Sequence, residues 1–185
     1  MKLYVFSDIH GDKDALDHID QLLQEEKTTF QIVLCGDLMY HGPRNPLPQK
    51  YDPAQVAEIL NKYKSVIHAC RGNCDSEVDQ MLLDFPMMDD YCEFQWHNTS
   101  CIATHGHLDH VNLENHRWIF SGHTHVPLCQ IKGDSFWVNP GSISLPKGKY
   151  AVGTYAVIED FRVELRSMDH ELLESYEWGG TVVDL

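Results

Sequence analysis

The chain has 185 residues with 28 Asp or Glu against 14 Lys or Arg, a formal net charge of −14 with histidine neutral. An acidic chain without a Lys/Arg cluster excludes a non-specific binder of long nucleic acid and disfavours docking on anionic lipid. No apolar stretch approaches the roughly 20 residues of a membrane-spanning helix, and the apolar start is too short for a signal peptide, so the expected location is the cytoplasm.

Length and an apolar content of 43% suit one globular domain over residues 1–185. Leu3 to Phe6 reads as a buried strand, followed by an amphipathic helix through Ala15, Leu16, Ile19, Leu22 and Leu23. Phe30 to Cys35 is a second strand. Asp52 then caps a helix with Pro53 in its first turn and Val56, Ala57, Ile59, Leu60 and Tyr63 on its buried face. Val66 to Cys70 is the third strand of a β-α-β-α-β series, which predicts parallel strands and right-handed crossovers. A helix over Ser76 to Phe85, stopped by Pro86, comes next. The second half reads as all-β: a hairpin of Tyr91 to Trp96 with Ser100 to Thr104, then Trp118 to Ser121, Cys129 to Ile131, Phe136 to Val138, Tyr150 to Ile158 and Arg162 to Arg166. The six cysteines contain no Cys-x-x-Cys pair and are expected to be reduced.

The strand ends share a regularity. Six strands run into polar clusters beside glycine: Ser7-Asp8-Ile9-His10-Gly11, Gly36-Asp37, Arg71-Gly72-Asn73-Cys74-Asp75, His105-Gly106-His107, Gly122-His123-Thr124-His125 and Asn139-Pro140-Gly141-Ser142. In an open α/β sheet that end is where ligands bind. Asp8, His10, Asp37, Asn73, His105, His123 and His125 form an oxygen and imidazole donor set suited to Mn, Fe or Zn. They are too many for one tetrahedral ion but fit two ions about 3.5–4 Å apart, as in two-metal hydrolases. Singly, Gly36-Asp37 and Arg71-Gly72-Asn73 also fit ordinary turns and Asp8-Ile9-His10 a turn with an incidental histidine. Gly122-His123-Thr124-His125 is strong by itself, since two imidazoles two residues apart on an extended segment face the same side. The joint occurrence of the clusters at strand ends carries the reading.

In these motifs the sequence resembles the calcineurin-like metallophosphoesterases, whose signature runs Asp-x-His, Gly-Asp, Gly-Asn-(His/Cys)-Asp, a Gly-flanked His and Gly-His-x-His. Within them it is similar to the small bacterial phosphodiesterases of the YfcE type, through His41 to Asn45, Arg71 to Leu83, Thr104 to Leu108 and Ser144 to Gly148. The resemblance implies an α/β fold, a two-sheet β-sandwich flanked by helices (αββα). It implies that Asp8, His10 and His125 hold one metal, Asn73, His105 and His123 a second, and that Asp37 bridges them. It implies attack on a small phosphodiester by a hydroxide bound to a dinuclear centre. The two divalent ions are expected to be Mn, with Fe, Zn or Mg as alternatives. Asn73 and Asp75 are the catalytic candidates, and Arg44, Cys74 and His107 the candidate substrate contacts. Dimers or tetramers are common among relatives.

Two departures stand out. Cys74 lies where many relatives have a histidine thought to assist the leaving group. A thiol does this poorly, which favours diesters over monoesters. The connection Leu108 to Arg117 is short, so its helix is abbreviated or the loop leaves one side of the site open. The alternative function is a phosphoesterase-fold protein-interaction scaffold, as in the small retromer subunit, whose ligand set is eroded.

Overall fold

A computed structural model describes residues 1–177 of the 185. Among the described residues, eleven strands form two mixed sheets, accompanied by three α-helices. The first half alternates as the apolar pattern requires: β1 (Lys2–Phe6), α1 (Lys13–Glu25), β2 (Phe30–Leu34), α2 (Pro53–Asn61), β3 (Ile67–Ala69) and α3 (Glu77–Gln80). The remaining strands are β4 (Tyr91–Trp96), β5 (Thr99–Thr104), β6 (Trp118–Phe120), β7 (Leu128–Lys132), β8 (Ser135–Asn139), β9 (Thr154–Glu159), β10 (Arg162–Ser167) and β11 (Leu172–Glu177).

The first sheet has the order β11-β10-β9-β1-β2-β3 and the second β4-β5-β6-β8-β7. β1, β2 and β3 are parallel, as are β5, β6 and β8. Alternate residues of β1 therefore serve two different cores. Leu3 and Val5 face the second sheet, packing with Val33, Trp118, Phe120 and Phe136. Tyr4 and Phe6 face the helices, packing with Leu16, Ile19, Val56 and Leu60. Asp12 accepts from the Ala15 N–H at 3.3 Å and Asp52 from the Gln55 N–H at 3.1 Å, so both main helices carry side-chain N-caps.

Several expectations are corrected. The helix expected over Ser76 to Phe85 is one turn, Glu77–Gln80. The Gln80 amide leaves it to donate to the Leu83 and Phe85 carbonyls and accept from the Met87 N–H, while Asn61 binds Leu82 O and the Asp84 N–H. These side chains satisfy the backbone that a longer helix would have satisfied. The strand expected from Tyr150 begins at Thr154, and β11 is an additional edge strand. His97 and Asn98 both have positive φ, which makes the β4–β5 link a two-residue turn matched to strand twist. The 105–117 connection contains no helix. The described cysteines are all unpaired thiols.

Candidate metal centre

The parallel strands β1, β2, β3, β5, β6 and β8 end on one rim, and the rim backbone is unusual. Asp8, His10, Asp37, His123 and His125 all have φ between +51° and +68°. A non-glycine residue in this left-handed region is disfavoured, and a cluster of such residues marks a functional site. The chain around them has no slack. A Cβ on Gly72 would lie 2.0 Å from Asp37 Oδ1, and one on Gly122 would lie 1.9 Å from Ser7 Oγ.

Backbone carbonyls orient three of the imidazoles. His10 Nδ1 donates to Tyr40 O at 2.8 Å, His105 Nδ1 to Cys35 O at 2.6 Å and His125 Nδ1 to Leu145 O at 2.6 Å. Because a carbonyl only accepts, each ring keeps a proton on Nδ1 and turns Nε2 inward, leaving that nitrogen to meet a carboxylate or a cation. His10 Nε2 and His125 Nε2 stand 3.2 Å apart. His123 uses its other nitrogen: Nδ1 lies 3.3 Å from His105 Nε2, which is itself 3.1 Å from Asn73 Oδ1.

Two buried carboxylates complete the centre. Asp8 Oδ2 accepts from Ser7 Oγ at 2.6 Å and the His123 N–H at 3.0 Å. Asp37 Oδ1 accepts from the Cys74 N–H at 2.8 Å. Burial opposes the charged form of both, but neighbouring imidazoles outweigh it. His10 and His125 hold Asp8 well below the carboxylate range, and His105 holds Asp37 below it. Burial likewise opposes charge on His105, and Asp37 overcomes it, raising the imidazole to about 9.

Further groups brace the rim. The buried Asp75 carboxylate accepts from the backbone N–H groups of Asp37, Leu38 and Gly72 at 2.7–2.8 Å, tying the β2 and β3 loops together. Burial pushes it up to about 6 against those three amides. Ser142 Oγ and Ser144 Oγ both donate to Asp8 O, at 2.7 and 3.0 Å.

A cleft of about 690 Å³ opens over the centre, lined by Asp37, Asn73, His123 and His125 together with Arg44 and Cys74. Lys147 and Tyr40 also line it. They escape sequence reasoning, although Lys147 lies in the Ser144 to Gly148 stretch that carries part of the resemblance. Cys74 is half-buried against Gly42, and burial with the nearby Asp37 pushes its thiol up to about 12. His107 packs against the rings of His105 and His123, at centroid distances of 5.2 and 6.0 Å, outside the cleft lining.

The donor set fits divalent cations. Asp8 Oδ1 is buried without a hydrogen bond, although His125 Nε2 is 3.2 Å and His10 Nε2 3.7 Å away. A buried oxygen among inward-turned ring nitrogens costs free energy until a cation joins them. Asp8, His10 and His125 place ligand atoms within 4.8 Å of one another, as do Asp8, Asp37 and His105, and so do His10, Asp37 and Cys74.

Comparison with known proteins agrees with this geometry. Residues 1–160 match the calcineurin-like phosphoesterase superfamily domain. Phosphodiesterase YfcE of Escherichia coli K12 is 43% identical over 152 residues, covering 80% of this chain and 82% of that protein. The solved structure of YfcE, described as a phosphoesterase from E. coli, superposes with a TM-score of 0.85 at 36% identity, over 96% of this chain and 99% of that one. A zinc complex of Vps29 from Entamoeba histolytica shares the fold, with a TM-score of 0.60 at 16% identity over 100% and 99% of the two chains. By sequence and by structure, the chain belongs to the calcineurin-like phosphoesterase superfamily.

Proposed function

We propose that this protein is a phosphodiesterase that hydrolyses a small phosphodiester at a centre of two divalent metal ions, with Mn preferred over Fe, Zn or Mg. The observation that carries the reading is the convergence of Asp8, His10, Asp37, Asn73, His105, His123 and His125 on one strained rim, with Asp8 Oδ1 left unpartnered. Asp8, His10 and His125 would hold one ion, Asn73, His105 and His123 the other, and Asp37 would reach both. When bound, such ions acidify water into a nucleophile at neutral pH and neutralise phosphoryl oxygens.

The chain's own groups do the rest. The carbonyls of Tyr40, Cys35 and Leu145 hold a proton on Nδ1 of three imidazoles and so direct Nε2 inward, where an ion would meet it. Asp75 acts as a positioning residue, holding the Asp37 and Gly72 backbones. Asn73 places its amide oxygen beside His105, and Arg44 lies at the cleft wall to receive a phosphoryl oxygen. His107 backs the His105 and His123 rings and touches substrate only if it turns toward the cleft. Cys74 offers a weak donor on the leaving-group side, which favours diesters over monoesters. The complete ligand set weighs against a scaffold role.

Mn²⁺ is expected to stimulate hydrolysis of bis-p-nitrophenyl phosphate, with p-nitrophenyl phosphate turned over more slowly. Asp37→Ala is expected to remove the activity. Equal inactivity of the Mn-loaded wild type and Asp37→Ala would overturn the reading in favour of a scaffold.

A further inference from the structure

The cleft carries two cationic side chains besides the expected metal ligands, Arg44 and Lys147. Elsewhere in this acidic protein, lysines and arginines such as Lys2, Lys62, Arg71 and Arg166 sit on carboxylates, while Lys27 and Lys50, outside the cleft lining, form no ion pair among the described residues. Arg44 and Lys147 also lack a carboxylate partner. Among the described residues neither donates a side-chain hydrogen bond or forms an ion pair, and both line the cleft that holds Asp37, Asn73, His123 and His125. They come from separate loops, Arg44 after β2 and Lys147 after β8, and the Lys147 N–H is anchored to His125 O at 3.0 Å. Two cations without carboxylate partners beside the expected metal ligands, exposed though both are, raise the positive potential of the cleft and favour an additional anion there.

The same cleft offers the leaving group only weak acids, the Cys74 thiol, the Tyr40 phenol and the Lys147 ammonium. Apart from the expected metal ligands, its lining contains no carboxyl and no imidazole. An alkoxide leaves poorly without a proton. A phosphate monoester, with a second pKa of about 6, leaves as an anion and needs cations instead.

We infer that the physiological substrate is a pyrophosphate diester, with Arg44 and Lys147 receiving the second phosphate, which departs. This rests on the phosphodiesterase reading above and narrows its substrate class. The oxygen of water bonds to one phosphorus while the bond from that phosphorus to the bridging oxygen breaks. The bridging oxygen and its electron pair leave on the second phosphate. Both products are monoesters, and at neutral pH the two protons of water pass to solvent.

The test compares P1-thymidine P2-methyl pyrophosphate with thymidine 5′-methyl phosphate, substrates that differ by one phosphate, on Mn-loaded wild type, Arg44→Gln and Lys147→Gln. The pyrophosphate is expected to have the higher kcat/KM in wild type, and the ratio of the two is expected to fall about tenfold in each variant, mainly through KM. Calorimetric binding of the methylene-bridged analogue, which cannot be cleaved, is expected to weaken by a similar factor. Hydrolysis of both substrates with ratios and analogue affinity unmoved by the variants would overturn the inference and leave the phosphodiesterase reading standing. Hydrolysis of neither these substrates nor bis-p-nitrophenyl phosphate would overturn both.

Discussion

Two cavities of nearly equal size lie at opposite ends of β1, and they differ in how their charges are satisfied. The cavity at the strand's start, about 710 Å³, is lined by Lys2, Tyr4, Arg162 and Arg166. Its cations are paired: Lys2 with Glu26 at 2.8 Å, and both arginines with Glu164. The cleft at the strand's end, about 690 Å³, holds the unpaired Arg44 and Lys147, the left-handed ligand backbones and, just beneath, the orphaned Asp8 Oδ1. Volume does not separate them. Unsatisfied charge and strain do, because both lower stability and persist only where a ligand compensates them.

The sharpest way to break this contrast is to add one methyl group at the strained end. In Gly72→Ala the new Cβ would sit 2.0 Å from Asp37 Oδ1 and 2.3 Å from Asp37 N, and neither is free to move, because Asp75 and the Cys74 N–H hold them. Displacing a reacting group by about 1 Å costs about 100-fold in rate, so Mn-dependent diester hydrolysis is expected to fall at least that far. The rise in Tm on adding Mn²⁺ should shrink with it. A variant retaining wild-type activity and the full Mn-induced rise would show that the rim has slack.

A smaller effect is expected one layer back. Asp75→Ala would strand the amides of Asp37, Leu38 and Gly72 in a buried position, and three such losses, partly relieved by water, are expected to cost about 3–4 kcal/mol in urea unfolding. A cost below about 1 kcal/mol would mean that solvent replaces the carboxylate fully, and that this bracing does not distinguish the two ends.

How far the sequence foretold these two ends depends on the kind of interaction at each. The rim was legible because each cluster directly succeeds a short apolar run, as Asp8 comes just after Phe6 and Gly36-Asp37 just after Cys35. A strand carries its own end with it. The early shutdown of α3 was not, because it depends on Gln80 and Asn61 binding backbone groups that only the fold brings near. β11 escaped because Leu172 to Glu177 mixes charged and apolar residues without clean alternation, as an edge strand tolerates. Lys147 reaches the cleft from an irregular loop, where no periodicity predicts direction. The carbonyl partners that choose each imidazole's inward nitrogen are backbone groups, which composition cannot reveal.

The smallest effect belongs to the satisfied end and is read in pH. Glu26 is partly buried. Burial would raise its carboxyl, but the Lys2 ammonium at 2.8 Å and the Tyr4 hydroxyl at 2.6 Å lower it from 4.5 to about 2. A carboxyl depressed in the folded state binds fewer protons there than in the unfolded chain. Its stabilisation is therefore complete above pH 4.5 and is lost as pH falls toward 2. Glu26→Gln removes that source of acid sensitivity. Wild type is expected to exceed the variant by about 1–2 kcal/mol at pH 7, after allowance for solvent screening, with the gap closing across that acid window. Because the pair lies at the far end of β1, Mn-dependent hydrolysis should be the same in both proteins. A gap unchanged between pH 5 and pH 2 would assign the difference to the hydrogen-bond geometry of the amide and not to the charge of the carboxylate. Loss of hydrolysis in Glu26→Gln would show that the two ends of β1 are coupled, and that the unsatisfied charge at the rim is balanced in part by the satisfied network at its start.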